Sequence, residues 1–431
     1  MTRIAMVTAV LVMILLLFRS CSDEESTNLS PKVRVIQPGQ CSHLTIPDSV
    51  YIAMECIDED LRSVSLSLIN TAKTPVAKSM TYYPKRDTFS LQTYFPVTDT
   101  LLGSGTYFIR ITASDNENTF TQDLKLMVHG VPRKVQGYIM IGADNQTTQI
   151  QHRDADFRRL GQKGITLNYY SSAFYSAAKL LFVEGLKTHP LTAFHVDKIT
   201  QAWYYDIASS QDHHAADEIV YSDKELIASF YSKKQLIAFT KEGKSKREIL
   251  MDENFFPGKM ALSDRYLFLE RVNYGFTLRK LGMYYRETFG EAESYDIPAS
   301  EVFDMVAVSD DTLFLATQQN GEFRLLLFQP ANNIFSVRTK LDEKPVQIIL
   351  RNNNSLLMRT EHKVWHYIIR EDVLYTIYDG ATKAMRYDST EDRVFILTPH
   401  HLKAVSASLG SQLNSFPLQE EFTDFHLFYN R

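Results

Sequence analysis

The residues of this 431-residue chain best suited to chemistry are carboxylates in adjacent pairs and histidines in clusters. Asp252 with Glu253, and Asp342 with Glu343, are the nearest candidates for the two carboxyl groups of a glycosidase, which must stand about 5–9.5 Å apart across the bond they cut. The two pairs lie far apart in sequence, so only convergence of different repeats could bring them together. Metal chemistry needs neutral imidazoles and a carboxylate aimed at one point. Asp212, His213 and His214 offer those groups in the longest connection between strands, where exposed loop polarity explains them better than a metal does. His362 and His366 share one face of a strand with Trp365 on the other and read as surface residues. His400 and His401 follow Pro399 in a hairpin turn. There is no P-loop, dinucleotide glycine motif or Gly-x-Ser-x-Gly elbow.

The elements that must carry these residues are strands. Aromatic residues make up 12% of the chain, mostly Tyr and Phe, and such side chains pack well on a pleated surface. From residue 137 onward a unit recurs: an apolar strand, a small polar turn, then another apolar strand. Asp223, Asp264, Asp310, Asn353 and Ser389 mark successive turns, spaced by roughly 42 residues, which is the period of a four-stranded propeller blade. Helical repeats share that period, but alternation every second residue excludes them here. The strand at 423–429 has no partner downstream and the strands at 137–167 lack an innermost partner upstream. Joining the two ends completes one blade, seven in all, and removes the open edges. The expected fold is therefore all-β, with a seven-bladed β-propeller at 137–431 closed by the C-terminal strand.

Connections from an outer strand to the next inner strand emerge on one face of a propeller. They bring together Tyr169 and Tyr170; Asp212, His213 and His214; Asp252, Glu253, Phe255 and Phe256; Tyr295 and Asp296; Asp342 and Glu343; Asp379; and Glu420 and Glu421. The expectation is an acidic face with interleaved aromatic rings, with Lys340 and Lys344 as its main cations. Such a surface suits sugar rings or cationic peptides. It does not suit phosphate backbones, and the net charge of −5 also argues against a nucleic-acid partner.

Upstream, residues 32–133 alternate in short strands of the kind that build an antiparallel sandwich. Asp58, Glu59, Asp60 and Asp115 could gather oxygens for calcium, although Asp and Asn in turns commonly bond their own backbone. The expected cofactor is none. Cys41 and Cys56 form an even pair that could be bridged, and two buried thiols would explain them too.

The N-terminus indicates an address. A run of fifteen residues at 4–18, apolar but for Thr8, follows Arg3; it is shorter than the about 20 a spanning helix needs and reads as a secretory core. Ser20 and Cys21 after it resemble a bacterial lipobox, which implies acylation of Cys21 and removal of residues 1–20. The acidic run Asp23, Glu24, Glu25 resembles the export signal of Bacteroidota surface lipoproteins, leaving 21–31 as a tether. Residues 105–119 and 56–64 resemble hairpins of bacterial immunoglobulin-like and PKD-like domains. Together with Gly137 and Tyr138 at the propeller entry, the order of parts resembles the PKD-like lipoproteins of Bacteroidota. That resemblance implies a protein anchored to the outer membrane and facing the cell exterior. It also implies an accessory or binding role beside a SusC/SusD-type uptake system, with a glycan, a peptide or an outer-membrane protein as partner. Catalysis is not expected; the competing readings are an extracellular propeller lyase or glycosidase and a docking part of secretion or gliding machinery.

Overall fold

The computed structural model describes residues 29–39, 42–144, 146–186, 190–206, 218–222, 225–231 and 233–430. Cys21, Cys41, Asp212, His213 and His214 lie outside the described residues. The chain divides into two compact units, Met1–Pro132 and Arg133–Arg431.

Among the described residues the first unit contains eight strands: β1 (Lys32–Gln37), β2 (Ser42–Thr45), β3 (Asp48–Ile57), β4 (Ser63–Ile69), β5 (Met80–Tyr82), β6 (Thr88–Val97), β7 (Gly105–Ser114) and β8 (Thr119–His129). They form two sheets, β1-β3-β6 and β2-β8-β7-β4-β5. Alternation decides which residues go inside. Val50, Ile52, Met54 and Cys56 of β3 meet Val64, Leu66 and Leu68 of β4 and Ile109, Ile111 and Ala113 of β7 in one core, because side chains on a strand point to opposite faces in turn. Each fully buried Val, Leu or Ile contributes about 1.5–3 kcal/mol.

Cys56 is a free, fully buried thiol inside this core. Cys41, the other half of the expected pair, lies outside the described residues; the β3 alternation turns Cys56 inward between the sheets. Asp58 and Asp115 are spent on turns. The Asp58 carboxylate accepts the Asp60 amide at 2.9 Å, and that of Asp115 accepts the amides of Glu117 and Asn118.

Among the described residues the second unit holds seven four-stranded sheets. The first joins the two ends of the unit: β9 (Val135–Ala143), β10 (Thr147–Asp154) and β11 (Arg159–Thr166) are completed by β36 (Asp424–Tyr429) in the order β11-β10-β9-β36. The other six take four consecutive strands each, β12–β15 (169–205), β16–β19 (218–250), β20–β23 (255–296), β24–β27 (301–341), β28–β31 (347–379) and β32–β35 (384–417). The inner strands are β12 (Tyr169–Tyr175), β16 (Glu218–Ser222), β20 (Phe255–Leu262), β24 (Glu301–Ser309), β28 (Gln347–Asn352), β32 (Ala384–Asp388) and β36. From β12 to β36 each packs against the next.

Apolar clusters lie between neighbouring sheets. One joins the first and second sheets through Ile139, Ile150, Leu181 and Val183. Another joins the last and first through Phe395, Leu402, Phe425 and Tyr138, so the series returns on itself. Gly137 serves the close pairing inside the first sheet. A Cβ there would collide with the Arg153 carbonyl of β10, so only glycine lets β9 approach. Tyr138 beside it is buried, with Phe157, Phe395 and Phe416 at 5.5–5.7 Å.

Candidate functional site

An inner strand is bonded to one neighbour only, so its other edge presents unpaired N–H and C=O groups to the channel. Acidic residues at or near the start of these strands satisfy some of them. Glu218 on β16 accepts the Met260 amide of β20 at 2.6 Å. Asp304 on β24 accepts the Ile348 amide of β28 at 2.6 Å and the Met305 amide at 2.8 Å. Asp424 on β36 takes the Tyr169 hydroxyl at 2.7 Å and the Ser172 hydroxyl at 3.2 Å, both from β12. It also pairs with Arg386 of β32 at 2.8 and 3.0 Å. Each acid thus ties its strand to the next one around the ring.

Between β16, β20, β24 and β28 lies a cavity of about 450 Å³, whose polar wall includes Glu218, Asp304, Gln347 and Arg286 and whose apolar wall includes Val220, Met260 and Val306. A second depression of about 540 Å³ is lined by Arg359, Glu361, His362, Thr382, Lys383 and Thr423.

Burial dominates the electrostatics. It raises the Glu218 carboxyl above its ordinary value against the pull of Lys259, with Asp304 adding to the rise. It raises Asp304 too, opposed by the Ile348 amide and Lys259. Burial pushes the Arg359 guanidinium down to about 10, with Asp424 opposing. It pushes His426 down to about 3, reinforced by Arg386, leaving a neutral ring against the Ser172 hydroxyl at 2.7 Å. Burial also pulls Asp424 upward, but Arg386, His426 and the Tyr169 hydroxyl outweigh it and hold that carboxylate below its usual range. Glu270 has a related task. It accepts the Lys259 amide at 3.1 Å where β20 bulges between Pro257 and Met260, and pairs with Arg279.

Of the eight described acids expected on that face, four are paired with nearby cations. Asp342 and Glu343 share Lys363 at 2.6 and 3.4 Å, and Glu343 also accepts the Thr360 hydroxyl at 2.7 Å. Glu420 meets Gln151 at 2.6 Å and Arg159 at 3.2 Å, while Glu421 pairs with Lys383. Lys363 and Arg159 sit on a third and an outer strand, away from the connections between sheets, whereas Lys383 stands in the connection just before β32. Lys340 and Lys344 instead face Glu322 and Glu301.

Tyr295 is not on a face at all. It packs edge-on against Phe328 at 4.8 Å in a core cluster. Phe256 is buried as well, stacked on Tyr231 at 4.1 Å, and Phe255 is half-buried below Lys280. Asp252, Glu253, Asp296 and Asp379 are exposed, and Tyr170 is half-buried. His366 is buried rather than on the surface, with its Nε2 2.9 Å from Arg351. Among the described residues, Tyr169 alone of those expected reaches the channel network.

Glu218, Lys259, Asp304, Arg359, Arg386, Asp424 and His426 were not expected there. A signal for some of them does exist. Glu218, Lys259 and Asp304 each stand five or six residues before a turn marker, so a charged residue heads the repeat.

A closed series of four-stranded sheets around a channel, completed by a strand from the far end of the chain, is a β-propeller. No family model matches the sequence, and no curated protein matches it. The chain is similar in structure to a functionally unknown protein from Desulfotomaculum acetoxidans, with 13% identity and a TM-score of 0.49 over 65% of this chain and 95% of that one. It is also similar to a quinoprotein alcohol dehydrogenase-like protein from Bacteroides thetaiotaomicron, with 8% identity and a TM-score of 0.47 over 92% and 99% of the chains. The WD40 domain of Neurospora crassa Pan2 gives 9% identity and a TM-score of 0.48 over 67% and 87%.

Proposed function

We propose that this is a lipid-anchored surface protein whose immunoglobulin-like sandwich carries a seven-bladed propeller that binds or scaffolds, without catalysis. The observation that carries the reading is the use made of the channel acids. Glu218, Asp304 and Asp424 each hold the next inner strand, so the ionisable centre of the propeller serves rigidity. Rigid scaffolds with variable loops are where binding sites commonly sit. On this reading Cys21 carries the acyl chains, each buried methylene contributing about 0.8 kcal/mol of membrane affinity. The ligand is a glycan, a peptide or an outer-membrane protein of the SusC/SusD type.

Two measurements test it. Cys21→Ala abolishes metabolic labelling with a fatty acid and releases the protein from the membrane; unchanged labelling sinks the anchor. Crosslinking on intact cells followed by mass spectrometry captures an outer-membrane transporter; if no protein partner is captured, glycan and peptide binding assays decide among the remaining ligands.

One observation favours a hydrolytic reading instead. A carboxyl held above its ordinary value in a cavity is suited to donate a proton, and Glu218 and Asp304 share such a cavity. Polysaccharide cleavage by the purified chain that is lost in both Glu218→Gln and Asp304→Asn would replace the binding role with an enzymatic one.

A further inference from the structure

His43 of β2 and His129 of β8 are both exposed, with Nδ1 of His43 3.4 Å from Nε2 of His129. Their rings lie within 13° of parallel, with centroids 5.7 Å apart. The strands run parallel, His43 opposite Met127 and Thr45 opposite His129. Leu44, Leu126 and Val128 between them are buried, so alternation sends His43, Met127 and His129 to the same outer face. The Met127 thioether accepts the hydroxyl of Thr106 at 3.3 Å, on β7, the neighbour of β8 opposite to β2.

Two imidazole nitrogens bound to one tetrahedral metal ion at about 2.0–2.1 Å stand about 3.4 Å apart. The pair has that separation, with the two ring nitrogens aimed at each other in a hydrogen bond; an ion takes the place of the shared proton once each exposed ring turns toward it. The third group on the face narrows the choice of metal. Nitrogen donors favour Cu²⁺ over the other divalent first-row ions, and a thioether suits Cu(I). Among the described residues no group of three or more His, Cys, Asp or Glu gathers as a metal cage, so the usual zinc and calcium donor sets are not offered. We propose that His43, His129 and Met127 form a copper-binding site on the outer face of the five-stranded sheet, with solvent or a partner's donor completing the coordination.

The site is independent of the propeller and of the reading given above. The test uses the full chain with its accessible thiols alkylated, titrated with Cu²⁺ and, without oxygen, with Cu(I) held by a chromophoric competitor. One equivalent binds, and His43→Ala or His129→Ala each weakens Cu²⁺ binding at least tenfold, with loss of the two-imidazole nitrogen signature in the electron paramagnetic resonance spectrum. Met127→Leu weakens Cu(I) about tenfold and leaves Ni²⁺ unchanged. All three side chains lie on the outer face, and an unaltered circular dichroism spectrum verifies the fold of each variant. Equal copper affinity in the native chain and the His43→Ala/His129→Ala double variant overturns the site; an unchanged Cu(I) affinity in Met127→Leu overturns the thioether as a ligand.

Discussion

Glu218 shows how one carboxylate can both hold a fold and burden it. Its bond to the Met260 amide joins two inner strands, yet burial raises its protonation range above the ordinary 4.5. A carboxyl with a raised folded value contributes stability that is complete below its unfolded value and is lost as pH rises through the folded one. The propeller should therefore weaken as pH climbs from about 4.5 toward and past neutrality. Glu218→Gln keeps the acceptor oxygen and cannot ionise, so its melting temperature at pH 8 should exceed that of the native chain by roughly 2–4 °C, with no gain at pH 4. Thermal melts at both values check this, and an equal shift at both removes titration as the cause. Cys56 offers a second check. Burial pushes its thiol up to about 11, and a thiol is unreactive unless ionised and accessible. Iodoacetamide should leave Cys56 unmodified in the folded chain and label it in denaturant; rapid native labelling would contradict its place in the core.

Among the elements, β36 carries the most consequence for its length. Its six residues complete the first sheet against β9 and supply Asp424, which binds β12 on one side and Arg386 of β32 on the other. Ending the chain at residue 422 exposes the edge of β9 and opens the ring, and an unpaired edge is a site for association. The expected result is an aggregating or readily proteolysed propeller, measured by size-exclusion chromatography and limited trypsin digestion. A monomeric, resistant product would mean that the remaining sheets close without it. Asp424→Ala is the milder version. It leaves Arg386 partly buried without its carboxylate, a loss of the kind that costs about 3–5 kcal/mol, to be read from denaturant unfolding.

At the scale of the whole molecule, the two units have separate cores and meet in sequence at residues 132 and 133. A chain divided this way should unfold in two steps. Residues 133–431 expressed alone should melt at the temperature of one transition of the full chain, by calorimetry; a single transition shared by both would show that the units stabilise each other. The paired acids matter at this scale too. Asp342, Glu343, Glu420 and Glu421 form two of the acidic pairs between sheets, and their cations lie beside them in space. Exposed pairs of this kind add little stability; their effect is to mute the field that a cationic ligand would meet.

Much of this could be read without coordinates, for a physical reason. Alternation of apolar residues records which face of a strand is buried, and a turn between the inner and second strand must be polar, so Asp264, Asp310 and Asn353 fall between strands as their chemistry requires. The orphaned strand at the C-terminus was legible because an unpaired apolar strand needs a partner. Charge pairing was not legible. Lys363 and Glu343, or Arg386 and Asp424, become neighbours only when sheets stack, and nothing in their sequence spacing announces it. The exposure of Tyr295 and His366 was decided the same way, by the packing of Phe328 and Arg351 against them. Local pattern determined strands and their order; the side chains that line the channel, and those that cancel one another's charge, were decided by the closing of the ring.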